Sequence, residues 1–400
     1  MLDLDKIINI KHVLKFVKLD NISNLRKIEQ DFIDTLFTEL INKKMVNSWN
    51  LYKLFGIIIS EFNYYYNNSD ETNKYGKHYD LEDLPIKKVN KFNRNLLKDK
   101  IKIVENNTTN DIIISMDQKR KKCVILNFAS SSTIGGGYSI GVLNTQEEQL
   151  CYTLDNLYGS LYKIAKDMGG TTPRTKNLEK LGTRKKYQYN NIFWWDKKVL
   201  YSWNIHLSRN NNFKYGKIYD TFDLEKHIYP NIFPLRDEKI EDITVISAAA
   251  PNLGKEGKKV FISKYTEDLD FILKHNTDID NIIEELSNIE IFTIFKKIVY
   301  NICILNEKVF NNGTRSTDTK PTILVLGAFG AGVFSPEYNI DLYIKTIAKV
   351  MFDVLIDYKI YEYFEYIYFP MLEKDKYDIF VEAFNKKLKK STNDCISYII

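Results

Sequence analysis

Two neighbouring glutamates that follow a run of three glycines are the residues best suited to chemistry in this sequence. Gly135, Gly136 and Gly137 follow an apolar segment after five intervening residues, and a spacer of eight residues separates them from a Gln-Glu-Glu triplet that contains Glu147 and Glu148. A glycine turn can adopt positive φ, and its N–H groups can surround an anion. A carboxylic acid beside it can donate and accept a proton. Cleavage of a glycosidic bond next to a diphosphate needs both features.

Each part of this motif also has a purely structural explanation. Three glycines alone are typical of a flexible turn. Thr145 and Glu148 have the spacing of a capping box, and acidic residues are favoured in the first turn of a helix. Apolar residues at helical spacing from Leu150 to Met168 predict one helix that ends at glycines 169–170. The pattern of residues therefore leaves Glu148 open to two interpretations, a helix cap or an acid–base group.

A second glycine-rich loop follows another apolar run. Residues 322–334 read TILVLGAFGAGVF, with glycines at positions 327, 330 and 332. A buried strand that runs into glycines before a helix is a candidate phosphate-binding loop. The glycine spacing differs from the dinucleotide fingerprint, and no acidic residue ends a following strand about 20 residues further on. These differences argue against a dinucleotide-binding domain.

The segments between these loops predict alternating strands and helices. Apolar runs of this length suit strands that are buried on both faces, and their alternation with helices predicts an α/β sandwich. Ligands of such sheets bind beyond the carboxyl ends of the strands, where both glycine loops fall. The predicted strands are 123–129, 243–249, 322–328 and 366–371, and the predicted helices are 339–364 and 377–388.

The remaining segments predict a domain division. In residues 1–95 the apolar residues have roughly helical spacing, which predicts an N-terminal helical extension. One such stripe consists of Leu25, Ile28, Phe32, Leu36 and Leu40, and the polar stretch 67–79 is a predicted loop. The expected divisions are the extension 1–95, a catalytic domain 96–390 with a basic, aromatic insertion at 171–197, and a tail 391–400.

Composition favours an intracellular protein without a metal centre. Lys and Arg number 57 and Asp and Glu 52, and the resulting net charge of +5 allows a polyanionic substrate without requiring one. Four cysteines without a C-x-x-C pair and five histidines without metal-ligand spacing predict no disulfide framework, metal or other cofactor. The chain opens without a basic signal segment, and its apolar runs are shorter than the roughly 20 residues that span a bilayer. We expect a soluble cytoplasmic or nuclear protein with no membrane partner.

In this order, the segments resemble the microbial-type poly(ADP-ribose) glycohydrolases over roughly residues 100–388. The signature of that family is Gly-Gly-Gly, a short spacer and Gln-Glu-Glu, and the second glycine loop resembles its diphosphate loop. The resemblance implies a macrodomain-like, three-layer α/β/α sandwich with a mixed sheet. It also implies hydrolysis of the ribose–ribose O-glycosidic bonds of poly(ADP-ribose). The signature residues here are Gly135, Gly136, Gly137, Gln146, Glu147 and Glu148.

The resemblance further implies a role for each site residue. Glu148 is expected to be the general acid and base, and Glu147 to position the substrate ribose. Poly(ADP-ribose) or ADP-ribosylated protein would be the substrate, and ADP-ribose the product. The residues expected to bind the substrate are Asn127, Ser130, Gly135, Gly136, Gly137, Gln146, Gly330, Ala331, Gly332, Val333 and Phe334.

The sequence departs from the family pattern near the first loop. Ser130 stands where the family often has Asn, and Ile134 where it has Pro. A serine hydroxyl can still bind a ribose hydroxyl, although with a shorter reach. Two alternatives to a poly(ADP-ribose) glycohydrolase follow from the same residues. One is a non-catalytic ADP-ribose-binding protein, and the other a hydrolase of single ADP-ribose marks on protein or nucleic acid.

Overall fold

The computed structural model describes residues 22–42, 48–66, 76–80, 97, 99–117, 121–130, 133–170, 198–212, 231–250, 323–332, 335, 340–357, 360–362 and 364–390. The predicted insertion 171–197, the predicted tail 391–400 and the candidate residues Val333 and Phe334 lie outside these ranges. In the described part of the chain, no helix is long and apolar enough to cross a membrane.

The described strands and helices alternate along much of the chain. The strands are β1 (Gly76–Asp80), β2 (Ile101–Glu105), β3 (Cys123–Phe128), β4 (Leu154–Asp155), β5 (Lys198–Arg209), β6 (Leu235–Ala248), β7 (Ile323–Val325) and β8 (Tyr366–Met371). The α-helices are α1 (Ile22–Asn42), α2 (Ser48–Tyr66), α3 (Thr109–Asp117), α4 (Gln146–Thr153), α5 (Leu157–Asp167), α6 (Ile340–Asp357) and α7 (Lys374–Lys390). Two 3₁₀ turns span Tyr138–Ile140 and Ile360–Glu362.

The strands form one mixed sheet of eight strands. Its order is β1-β5-β6-β3-β7-β8-β2, with β4 paired to β5. The pairs β2–β8, β3–β7 and β7–β8 are parallel, whereas β4–β5 is antiparallel. The predicted α/β fold with a mixed sheet is therefore confirmed.

The central strands follow the apolar runs of the sequence. β3 is buried along almost its whole length, as expected of a strand covered on both faces. β8 has the predicted bounds, and β7 is shorter than predicted. β6 begins at Leu235 rather than at residue 243. Its first half is largely polar and exposed, so it forms no apolar run and was not predicted from the sequence.

Helix α1 is present as predicted, but a different set of side chains is buried. Leu25 and Leu36 of the predicted stripe are buried, while Ile28 and Phe32 are only half-buried. Glu29 is fully buried in their place, with 0% of its surface exposed. A buried carboxylate on a helix is invisible to hydrophobic periodicity, so the true buried face was not predicted.

The single helix predicted from Leu150 to Met168 is wrong. Helix α4 ends at Thr153, β4 pairs antiparallel with β5, and α5 begins at Leu157. Asp155 stabilises the interruption between α4 and α5, because its carboxylate accepts a 2.5 Å hydrogen bond from the Ser208 hydroxyl and pairs with Lys239. The predicted end at glycines 169–170 is confirmed, since the amide of Gly170 donates to Ala165 O at 2.7 Å.

Two further predictions need correction. Strand β1 occupies the end of the predicted loop 67–79, where a polar sequence is compatible with the edge position of this strand in the sheet. The helix predicted at 339–364 ends at Asp357, and a 3₁₀ turn follows it.

The chain is divided into two compact units. Unit 1 contains the described residues within Met1–His78, Ala129–Trp194 and Leu200–Val245, and unit 2 those within Tyr79–Phe128, Trp195–Val199 and Ile246–Ile400. Unit 1 therefore carries the glycine triplet and both glutamates, whereas unit 2 carries the second glycine loop.

Unit 2 has an apolar, aromatic core that involves α6, α7 and β8. The ring centroids of Phe352 and Phe384 lie 5.0 Å apart, and those of Phe369 and Phe380 lie 5.4 Å apart. All four side chains are buried. Burial of these aromatic side chains stabilises the packing of α6, which begins soon after the second glycine loop.

Candidate active site

The glycine triplet of unit 1 forms a tight, hydrogen-bonded turn. Gly135 and Gly136 have φ values of 61° and 57°, a left-handed conformation that favours glycine. The amide of Gly136 donates to Thr133 O at 3.1 Å, and the amide of Tyr138 donates to Gly135 O at 2.9 Å. A 3₁₀ turn follows directly from Gly137. These hydrogen bonds define the path of the backbone through the triplet.

This turn binds the carboxylate of Glu148. The amide of Gly137 donates to Glu148 Oε1 at 2.7 Å, and only 4% of Glu148 is exposed. A Cβ atom at position 136 would overlap Glu148 Oε1 and would lie 3.0 Å from Glu148 Cδ. Glycine is therefore required at position 136 both for its φ and for the close approach of the carboxylate.

Glu147 is held by the other side of the same loop. The amide of Ser130 donates to Glu147 Oε2 at 2.7 Å, and 2% of Glu147 is exposed. The Ser130 hydroxyl in turn accepts a hydrogen bond from the amide of Thr133 at 3.1 Å. Two consecutive carboxylates are thus oriented by backbone N–H groups from one loop, and such charge-assisted hydrogen bonds are among the stronger ones in proteins.

The structure agrees only in part with the interpretation of Glu148 as a helix-capping residue. Helix α4 begins at Gln146, so both glutamates lie in its first turn as predicted, and Thr145 is the N-cap residue. The Thr145 side chain makes no capping hydrogen bond, however. The carboxylate of Glu148 accepts instead from Gly137, eleven positions earlier in the chain. Its orientation is therefore set by the glycine turn.

The second glycine loop, in unit 2, has a different construction. Gly327 and Gly330 have φ values of 142° and 77°. A Cβ atom at Gly330 would overlap the Tyr343 hydroxyl and would lie 2.8 Å from the Ala250 Cβ atom. Gly332 is exposed, and a Cβ atom there would meet no heavy atom of the described residues within 4 Å. One glycine of this loop is therefore required by close packing, and another has no close neighbour among the residues that the structure describes.

Tyr343 was not singled out from the sequence. Its side chain is buried, and burial raises the pKa of its hydroxyl. Within the described residues this hydroxyl has no hydrogen-bond partner. A tyrosine among apolar residues of a helix is usually read as part of the core, so no sequence signal marked its proximity to Gly330.

Asn127 lies near the carboxyl end of β3 and belongs to unit 2. It is fully buried, and its Nδ2 atom donates to the Ser247 hydroxyl at 2.9 Å. Its Oδ1 atom has no partner among the described residues. Of the other candidates, Gln146 is half-buried at the start of α4, and Ala331 is buried in the second loop. The structure thus brings Ser130, the glycine triplet and the two glutamates together in unit 1.

Comparison with known proteins gives a family for the segment that carries this site. Residues 58–208 match the model of the microbial-type PARG catalytic domain. The predicted family resemblance is confirmed over these residues. They include the glycine triplet, both glutamates and most of β5, whereas the second glycine loop lies outside the match. No curated protein matches the sequence.

Solved structures of a bacterial enzyme are also similar. Poly(ADP-ribose) glycohydrolase from Thermomonospora curvata bound to the inhibitor ADP-HPD is 17% identical, with a TM-score of 0.43. A second structure of that enzyme is 16% identical, with a TM-score of 0.41. In both comparisons the similarity covers 77% of this chain and 85% of the other.

Proposed function

We propose that the protein is a glycohydrolase that cleaves the ribose–ribose O-glycosidic bonds of poly(ADP-ribose) and releases ADP-ribose. The observation that supports this most directly is the buried carboxylate of Glu148, held by the amide of Gly137 in the glycine turn. The microbial-type PARG match covers this turn and both glutamates. A buried acid that is oriented by a glycine turn is suited to proton transfer at a substrate oxygen.

In the proposed reaction, Glu148 acts first as an acid and then as a base. It donates its proton to the leaving ribose oxygen while the bond from that oxygen to the anomeric carbon breaks, and positive charge develops on the ribose. Water then attacks the anomeric carbon, and the Glu148 carboxylate takes up a proton from that water. Most glycosidases place two carboxylates across the bond. Consecutive residues in one helical turn cannot do so, which is why one glutamate serves both steps.

The other residues of the proposed site bind substrate. Glu147, fixed by the Ser130 amide, accepts hydrogen bonds from the substrate ribose and holds it against the glycine turn. The second loop surrounds the diphosphate and adenosine. The exposure of Gly332 supports this role, because a phosphate can approach the backbone of an exposed glycine. The residues assigned to substrate binding are Asn127, Ser130, Gly135, Gly136, Gly137, Gln146, Gly330, Ala331, Gly332, Val333 and Phe334.

The finer architecture belongs to the same proposal. We place the site in a macrodomain-like, three-layer α/β/α sandwich formed by residues 96–390, after an N-terminal helical extension. The boundary at residue 95 stays a prediction. The family match begins at residue 58, inside α2 and before that boundary.

Turnover by the wild-type protein tests the proposal. Poly(ADP-ribose) of defined length would be incubated beside mono-ADP-ribosylated protein and mono-ADP-ribosylated nucleic acid, and released ADP-ribose would be quantified. We expect the polymer to be hydrolysed fastest. Faster release from a mono-ADP-ribosylated substrate would identify a hydrolase of single marks, and binding of ADP-ribose without any turnover would identify a non-catalytic binding protein.

A further inference from the structure

Helix α2 lies directly against the glycine turn of unit 1. Gly141, which ends the 3₁₀ turn after the triplet, has φ 82°, and a Cβ atom on it would overlap Lys53 O. A Cβ atom at Gly56 would lie 2.8 Å from Gly141 O and 2.7 Å from the Tyr152 hydroxyl. Because neither Gly56 nor Gly141 has a side chain, the backbone of α2 can approach the turn and α4 closely.

Asn63, near the end of α2, connects this helix to both parts of the site. Its Nδ2 atom donates to Tyr152 O at 3.0 Å, in the last turn of α4, and lies 3.4 Å from the Tyr138 hydroxyl. The Tyr152 hydroxyl donates to Tyr138 O at 3.0 Å. Tyr138 immediately follows the glycine triplet, so one buried amide contacts the glutamate helix and the adjoining turn.

A buried ion pair fixes the orientation of this amide. Arg209 Nε donates to Asn63 Oδ1 at 2.7 Å, while its two Nη atoms donate to the carboxylate of Glu29 at 2.7 and 2.6 Å. Both charged side chains are fully buried, and Asn231 Nδ2 also donates to Glu29 at 2.7 Å. Arginine can only donate and a backbone carbonyl can only accept, so Oδ1 must face Arg209 and Nδ2 must face Tyr152 O.

We infer that Asn63 is a positioning residue for the reaction assigned to Glu148, an inference that rests on the proposed function. Helix α4 has eight residues, too few to form a stable helix by itself in water. Its first turn carries Glu147 and Glu148, and its last turn is held by Asn63. The N-terminal helices therefore orient the catalytic carboxylates through Asn63.

The variant Asn63→Asp isolates this link. Aspartate keeps an acceptor for Arg209 but has no N–H to donate, so its carboxylate faces Tyr152 O across an unfavourable contact. We expect kcat on poly(ADP-ribose) to fall by at least about tenfold, with a much smaller change in KM, because a small displacement of a catalytic group is costly. Tyr152→Phe, which removes the hydroxyl bond to Tyr138 O, should also lower kcat, but by less.

The matched control is Ser160→Ala, which removes a buried 2.6 Å hydrogen bond to Ser202 in the same unit. Amide hydrogen exchange of the segment 133–153 is measured on all folded proteins. Faster exchange there in Asn63→Asp than in Ser160→Ala, together with the lower kcat, is the expected result. Equal kcat and equal exchange in the two variants overturn the inference. If the wild type hydrolyses no ADP-ribosylated substrate, the proposed function fails, and the exchange comparison alone decides whether Asn63 holds the loop.

Discussion

The two glycine loops both follow an apolar run, but their glycines differ in what surrounds them. In unit 1 the glycines lie against side chains, and a Cβ atom at Gly136 would overlap the Glu148 carboxylate. In unit 2, within the described part of the chain, a Cβ atom at Gly332 would meet nothing within 4 Å, and the Tyr343 hydroxyl near Gly330 has no partner. A glycine run in a sequence is therefore compatible with a closed loop that holds a protein carboxylate and with an open one.

This difference suits the two loops to different roles in the proposed function, namely orientation of the acid and binding of phosphate. In the first loop the amides of Ser130 and Gly137 donate to Glu147 and Glu148, which orients the proposed acid before substrate arrives. Such preorganisation lowers the cost of reaching the transition state. The second loop keeps exposed backbone at Gly332, as a phosphate-binding loop requires. Substitutions in the first loop should affect kcat, and those in the second loop should affect binding.

The largest effect is expected for Glu148→Gln. Glutamine keeps an oxygen that can accept from the Gly137 amide but has no transferable proton, so kcat should fall by about 10²–10⁴-fold. ADP-ribose binding, measured by calorimetric titration, should be nearly unchanged. Glu147→Gln is the control at the neighbouring position and should act mainly on KM. Near-normal turnover by folded Glu148→Gln would restore the interpretation of Glu148 as a helix cap.

Gly136→Ala should be next in effect. A left-handed alanine costs about 1–2 kcal/mol, and its Cβ atom would displace the Glu148 carboxylate. We expect a lower melting temperature and a large loss of turnover. Gly332→Ala provides the comparison, and its free energy of unfolding should stay within about 0.5 kcal/mol of the wild-type value. Equal stability and turnover of the two variants would remove the contrast between the loops.

Gly332→Val tests the open side of the second loop. The branched side chain would occupy the space in which phosphate is proposed to bind, so the Kd for ADP-ribose should rise by at least about tenfold, or about 1.4 kcal/mol. The described geometry gives Gly332 no positive φ, so the fold should be retained. A thermal melt checks the fold, and calorimetric titration the affinity. Normal ADP-ribose binding by the stable variant would exclude this loop from the site.

Two tyrosine-to-phenylalanine variants should change stability in opposite directions. Tyr343→Phe removes a buried hydroxyl without a partner among the described residues, and should raise the free energy of unfolding by about 1 kcal/mol. Tyr152→Phe removes a hydrogen bond to Tyr138 O and should lower it by about 1 kcal/mol. Denaturant titration of both variants measures the difference. A loss of stability in Tyr343→Phe would mean that the hydroxyl stabilises the free protein.

Much of the fold was predictable because its signals are local. Apolar runs locate β3 and β8, and capping residues locate the start of α4. The contact between the glycine turn and the two glutamates was also predictable, since these residues lie close together in the sequence. The features that the sequence did not reveal are contacts between residues that lie far apart in the chain. Glu29 and Arg209 form a buried pair across 180 positions, and each alone is indistinguishable from a surface charge.

The errors have the same origin. Apolar spacing from Leu150 onward favours one helix, but pairing of β4 with β5 and the contacts of Asp155 interrupt it. Local propensity cannot anticipate a two-residue strand whose partner lies about fifty positions away. The polar half of β6 was missed because exposed residues give no apolar signal. Predictions from the sequence were thus strongest where burial alone determines the element.

Identification of the products that the wild-type protein releases from poly(ADP-ribose) is the sharpest test of whether it is a glycohydrolase. Mass spectrometry distinguishes cleavage at the ribose–ribose bond from cleavage at the diphosphate. We expect free ADP-ribose as the main product, with the Glu148→Gln variant releasing little of it under the same conditions. Release of phosphoribosyl-AMP, or release of ADP-ribose at an equal rate by the folded variant, would contradict the assignment of Glu148 as the acid and base.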